Sequence, residues 1–135
     1  MEVCGSEQRL GPGELPVSCR HALIDAVLGA ANLGDIGSLF PSGDEQYRGA
    51  SSLDLLREAY RGVREAGWEL VNADCVLVGE EPRIGDIRGD MSERLSGALG
   101  VDRGIVSVRA TTTDRLGFTG RGEGLAAQAV ALLRR

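Results

Sequence analysis

Apolar positions recur at helical spacing from His21 to Leu33, where Leu23, Ala26, Val27, Ala30 and Leu33 share a face. Gly34 follows at a point that favours a left-handed C-terminal residue, and together these predict a first helix. The turn-rich stretch Phe40-Pro41-Ser42-Gly43-Asp44 leads through Gly49 to Ser51 and Ser52, N-caps for a second helix. That helix carries Leu55, Leu56, Ala59, Tyr60 and Val63 and closes at Gly67. From Trp68 to Val78 the period changes: alternation gives way to Cys75-Val76-Leu77-Val78, the apolar run of a strand with one or both faces covered. Ile87, Met91, Leu95 and Leu99 outline a weaker, glycine-interrupted helix, and Ile105 to Ala110 is a short strand rich in β-branched residues. The alanine-rich stretch from about Gly124 to Leu133 predicts a closing helix, and the first ten residues can add an edge strand.

Helix, helix, strand, helix, strand, helix is the order of an α/β or α+β layer, a mixed sheet covered on one face by helices. At 135 residues the expectation is a single domain, residues 1 to 135. No apolar run is long enough to cross a bilayer, and Met1-Glu2-Val3-Cys4-Gly5 lacks the basic start and apolar core of a secretory signal, so a soluble, cytoplasmic protein is expected. Cys4, Cys19 and Cys75 are an odd set without metal-finger spacing and read as small buried or free thiols. A net charge of -5 argues against a nucleic-acid partner, which is held through surplus positive charge. The basic residues are all arginine, a bias that fits GC-rich coding and also supplies planar forks suited to phosphate.

The segment from Arg109 to Gly124 runs from a strand end into a glycine-rich loop. Thr111, Thr112 and Thr113 put three hydroxyls beside freed backbone amides, a combination that can cradle phosphate or a nucleobase edge. The plainer reading is that threonines end strands and glycines make turns. Asp114 beside phosphates calls for a divalent cation such as Mg²⁺ between them, or else it caps the following turn. Gly79-Glu80-Glu81-Pro82-Arg83-Ile84 leaves another strand end with a rigid proline and an arginine, which suits a ligand rim as well as a solvated turn.

These two segments carry a family resemblance. Residues 110 to 124 reproduce, with Asp114 in place of a glutamate, the string Ala-Thr-Thr-Thr-Glu-Lys/Arg-Leu-Gly-Phe-Thr-Gly-Arg-Gly-Glu-Gly of the 2-C-methyl-D-erythritol 2,4-cyclodiphosphate synthases. His21-Ala22-Leu23, Asp25-Ala26, Leu28-Gly29-Ala30-Ala31, the run Gly34 to Pro41, Ser52, Leu55 to Ala59 and Asn72-Ala73-Asp74 fit the same frame, so the similarity covers residues 18 to 135. The resemblance implies a homotrimer with each active site between subunits. On one side, residues matching Gly79, Pro82, Arg83 and Ile84 and Ala110, Thr111, Thr112 and Thr113 would hold the cytidine and its phosphates. On the other, Asp35, Ile36 and Gly37 match polyol contacts, with Phe40, Asp44, Phe118 and Arg121 further substrate-side positions. Thr112 and Asp114 are the catalytic candidates, Asp114 through Mg²⁺. In the family's reaction a substrate phosphate attacks the β-phosphorus of its own CDP group, releasing CMP and closing a cyclic diphosphate. The nucleophile is already anionic, so catalysis reduces to orienting two phosphates and neutralising their charge.

The family's zinc ligands are an Asp-x-His on its first strand and a histidine on its first helix. His21, the single histidine, matches the last of these; the best alignment of residues 5 to 13 puts Ser6 and Gln8 at the other two, and neither is a good zinc ligand. About twenty family residues have no counterpart between Gly13 and His21. His21 therefore reads as a remnant of a zinc site, or as an ordinary satisfied histidine; Cys4 and Cys19 offer it only a poorly spaced soft alternative. Mg²⁺ is the expected cofactor and zinc is not. The expected activity is that of the family, CMP-releasing transfer on a CDP-linked polyol phosphate, with altered substrate or metal use. The alternative is a nucleotide-binding or supporting subunit assembled with an active paralogue.

Overall fold

The structure, a computed structural model, describes residues 2–5, 16–41, 43–44, 51–81, 83, 85 and 87–135. Strand β1 is Glu2–Gly5 and helix α1 is Val17–Ala30. A single turn, α2, spans Ile36–Leu39, and α3 spans Ser52–Glu65. Strand β2 (Glu69–Val78) passes through α4 (Arg88–Leu99) and a short 3-10 turn, Arg103–Ile105, to β3 (Val106–Thr111). A second single turn, α5 (Gly117–Gly120), precedes the long strand β4, Gly124–Arg134.

The four strands form a mixed sheet in the order β1-β4-β2-β3. β2 and β3 run parallel, from Ala73↔Val106 to Val78↔Thr111, as the intervening α4 requires. β4 lies antiparallel to both β1 and β2, with a bulge in the β2 pairing between Leu70 and Asn72. The expected layer of helices over one sheet face is present: Leu23, Val27 and Leu28 of α1, Leu56 and Val63 of α3 and Met91 and Leu95 of α4 meet Cys75, Leu77, Val108 and Ala127 of the sheet in one buried core. Each large aliphatic side chain so buried contributes about 2 kcal/mol. Cys19 and Cys75 are buried free thiols; the neighbouring Cys19, then burial, raise the Cys75 thiol far above its usual range.

The closing helix expected at Gly124 to Leu133 is instead β4. Alanine favours helix when packing does not decide, but here the alternation decides: Leu125 and Ala127 are buried in the core, Ala129, Ala131 and Leu133 pack against it, and Gln128, Val130, Leu132 and Arg134 face away. Small residues on the inner face of a central strand let α1 lie close against the sheet.

The first helix begins at Val17, four residues before His21, and stops at Ala30. Its left-handed terminator is Asn32 (φ 57°) rather than Gly34: Asn32 N donates to Gly29 O (3.1 Å) and Leu33 N to Leu28 O (2.9 Å), the two bonds of a Schellman end. At α3 the expected cap holds, with Asp54 N donating to Ser51 Oγ at 3.2 Å. No helix is long and apolar enough to cross a membrane among the described residues.

Candidate functional site

Because β2 and β3 are parallel neighbours, their chains leave the sheet side by side. The ladder extends one bond past β2, Gly79 N donating to Thr111 O at 3.1 Å. The crevice outside the carboxyl ends of parallel strands is a general ligand site in such sheets. Here it is a cleft of about 300 Å³ lined by Gly79, Glu80, Arg83, Gly85, Arg88, Ala110, Thr111 and Thr112. Gly79, Glu80, Arg83, Gly85 and Arg88 thus form one wall with residues 110–112, far from them in sequence. Arg88 opens α4, whose N-cap Ile87 supplies no side-chain bond to the first-turn amides, an arrangement suited to an anion.

Beyond Thr112 the chain reverses. Asp114 (φ 52°) and Arg115 (φ 65°) both lie in the left-handed region, and Leu116 N donates to Thr113 O at 3.0 Å across them. Two consecutive non-glycine residues there store strain on the order of 1–2 kcal/mol each. The turn is held by its surroundings. Thr113 Oγ1 donates to Leu116 O (2.6 Å) and meets Thr119 Oγ1 at 3.1 Å, with Thr119 buried. Arg115 N donates to Glu80 Oε1 at 3.0 Å. Gly120 packs on the Arg115 backbone so closely that a Cβ would stand 2.2 Å from its carbonyl carbon. Asp114 is exposed, with Thr112 Oγ1 3.5 Å from its Oδ1, and this pair of hard oxygens fits a magnesium ion.

The other expected positions are placed elsewhere. Asp35 caps α2: its Oδ1 accepts from Ser38 N at 2.8 Å, while its own N donates to Ser38 Oγ. The Ser38 amide and hydroxyl hold its carboxyl below the ordinary value. Ile36 N donates to Asp25 Oδ1 at 2.8 Å, which fixes α2 to α1 and sets Gly37 at an exposed corner. Phe40 is buried in the core, whereas Asp44 and Phe118 are exposed, and Arg121 forms an exposed ion pair with Glu123. Pro82 and Ile84 lie outside the described residues.

His21 is half-buried on α1. Burial, then the charge of Arg20, lower its pKa, with Asp25 opposing. Ser6 and Gln8 lie outside the described residues, and among the described residues no three His, Cys, Asp or Glu side chains converge for a metal. Cys19, two residues from His21, faces the core. Gly85 and Arg88 line the cleft without having been singled out as ligand residues from the sequence, whereas Glu80 lay in the segment read there as a ligand rim. The signal for Gly85 and Arg88 lay in the strand order, since only the parallel pairing of β2 and β3 brings both exits together.

The YgbB family model matches residues 18–134. The chain is 58% identical over 113 residues to the 2-C-methyl-D-erythritol 2,4-cyclodiphosphate synthase of Moorella thermoacetica, covering 84% of this chain and 69% of the relative. It is 60% identical over 115 residues to the enzyme of that name from Rubrobacter xylanophilus, covering 85% and 69%. A solved 2C-methyl-D-erythritol-2,4-cyclodiphosphate synthase in a CDP-bound form superposes with a TM-score of 0.81 at 31% identity, covering 98% of this chain and 94% of that one. Matched along nearly its whole length by sequence and by fold, the chain belongs to the YgbB family, that of the 2-C-methyl-D-erythritol 2,4-cyclodiphosphate synthases.

Proposed function

We propose that the protein catalyses CMP-releasing intramolecular phosphoryl transfer on a CDP-linked polyol phosphate, the parent substrate being 4-diphosphocytidyl-2-C-methyl-D-erythritol 2-phosphate. The observation that carries this reading is the cleft at the exits of β2 and β3, which joins Gly79 and Arg83 to Ala110, Thr111 and Thr112 and continues into the strained turn at Asp114. A CDP group would lie in it, its base end along Gly79, Arg83 and Gly85 and its phosphates over the threonine hydroxyls and the start of α4. An oxygen of the substrate's own phosphate forms a bond to the β-phosphorus as the bond from that phosphorus to the CMP oxygen breaks, and CMP leaves with the electron pair. Thr112 orients the diphosphate, and Arg83 and Arg88 offset its charge. Mg²⁺ bound at Asp114 would neutralise charge on the phosphates.

The reading includes a homotrimer, in which Asp35 to Gly37 of one subunit meet the cleft of the next. The sheet face away from the helices supports assembly: Val130 is 64% and Leu132 57% exposed on it, flanked by the pairs Asp74–Arg109 and Glu69–Arg134. With Ser6 and Gln8 at the positions of two of the family's zinc ligands, the reaction proceeds on this reading without zinc at His21. Chromatographic detection of CMP from the parent substrate with Mg²⁺, with and without added Zn²⁺, tests this. Turnover independent of zinc is expected; CMP binding without turnover in either condition would instead favour a supporting subunit paired with a paralogue.

A further inference from the structure

Glu80 sits on the wall of a cleft suited to phosphates, where a free carboxylate would repel them. One of its oxygens is committed: Oε1 accepts from Arg115 N, 35 residues along the chain, at 3.0 Å. That amide belongs to the second of two left-handed, non-glycine residues, a conformation that persists only where the surroundings over-determine it. Gly120 presses on the Arg115 backbone on one side and Glu80 holds its amide on the other, so the peptide is clamped. Both clamps are side-chain choices: a bulkier residue at 120 overlaps the backbone, and a residue without an acceptor at 80 leaves the amide to water.

We propose that Glu80 is a positioning residue, which by accepting the Arg115 amide locks the turn across the cleft and sets Thr112 and Asp114 against the phosphates of a CDP-like ligand. This rests on the CDP-linked reading above for the ligand but not for the clamp. The role belongs to the acceptor oxygen and not to the charge, so glutamine, which offers the same oxygen, fulfils it and alanine does not.

The test measures Arg115 amide exchange by NMR, Mg²⁺-dependent CMP affinity, and kcat and KM on the parent substrate in the wild type, Glu80→Ala and Glu80→Gln. Glu80→Ala is expected to speed Arg115 exchange about tenfold, to weaken Mg²⁺-dependent CMP binding about fivefold and to lower kcat about tenfold, with KM for the parent substrate, which is held by further contacts, changed less than about threefold. Glu80→Gln is expected to restore all three to within about threefold. Unchanged exchange at Arg115 in Glu80→Ala overturns the proposal. So does faster exchange with kcat intact, or a glutamine variant no better than alanine, which assigns the effect to charge. A wild type that binds CMP without turning over defeats the reaction assigned above and leaves this proposal to be judged on CMP affinity, where equal affinity in wild type and Glu80→Ala overturns it. Failure of the wild type to bind CMP overturns both.

Discussion

The cleft at the exits of β2 and β3 and the corner at α1 and α2 both carry family residues, but they are built differently. In the corner every hydrogen bond described for Asp35 and Ile36 stays within residues 25–40, so that a short helix turn is capped by its own neighbours. In the cleft two of the decisive contacts span the sequence, Gly79 to Thr111 and Glu80 to Arg115, and they act on the same turn that Gly120 presses from close by at Arg115. Local construction tolerates change, because each contact can be lost singly. Long-range construction around a strained turn does not, since any contact that fails releases the strain. The cleft is therefore where small substitutions should have large effects, and the corner where they should have small ones.

The sharpest way to break that contrast is Gly120→Ala. The added methyl overlaps the Arg115 backbone, and backbone cannot swing aside as a side-chain tip can. Stability is expected to fall by about 2 kcal/mol in urea denaturation, and CMP release on the order of a hundredfold as the turn shifts. Asp114→Asn separates chemistry from fold. Asparagine tolerates the left-handed conformation, so stability should hold within about 0.5 kcal/mol. Turnover is expected to fall roughly thirtyfold with a weakened response to Mg²⁺ titration. Equal stability loss in the two variants would erase the distinction between scaffold and ligand.

The same contrast explains what was legible in the sequence. Helices α3 and α4 and strands β2 and β3 follow from periodicities that their packing obeys, whereas α1 keeps Leu23 and Val27 of its expected face inward and leaves Ala30 and Leu33 exposed; Ser51 announces its cap three residues before the amide it accepts. β4 was illegible because its alanines carry helical propensity while its neighbours in the sheet, β1 and β2, impose period two from far upstream in the chain. The threonine-rich loop was marked by its motif as a candidate ligand segment, and Thr111 and Thr112 line the cleft. Arg88, which completes its wall, required the parallel register of Val78 with Thr111, which no local pattern encodes. Asp114, open to both a cation and a capping role in sequence, takes no amide bond as a cap; its own backbone is the strained element.

Thr113→Val probes the turn one step from the ligand. The hydroxyl bonds Leu116 O and the buried Thr119 hydroxyl, and valine keeps the shape while leaving both short of a partner. A loss of about 1 kcal/mol is expected in urea denaturation, with turnover down about fivefold. A larger loss of turnover than Gly120→Ala produces would mean that the hydroxyl meets the ligand directly and the turn is secondary.

The smallest expected effect lies in the corner. Asp35→Ala removes the α2 cap, and with it the acceptor for Ser38 N, which should lower Tm by about 3 °C at pH 7. The sign of its pH dependence follows from the Ser38 bonds that hold the Asp35 carboxyl below its ordinary value of 3.8. A carboxyl depressed in the folded state contributes stability that is present above 3.8 and is lost as pH falls through the lower folded value. The Tm gap between wild type and Asp35→Ala should thus be constant from pH 7 to pH 5 and close in stronger acid, where both carry an uncharged group or none. A gap that instead widened in acid would show the carboxylate to be disfavoured by the fold, as a residue poised for a ligand rather than spent on a cap.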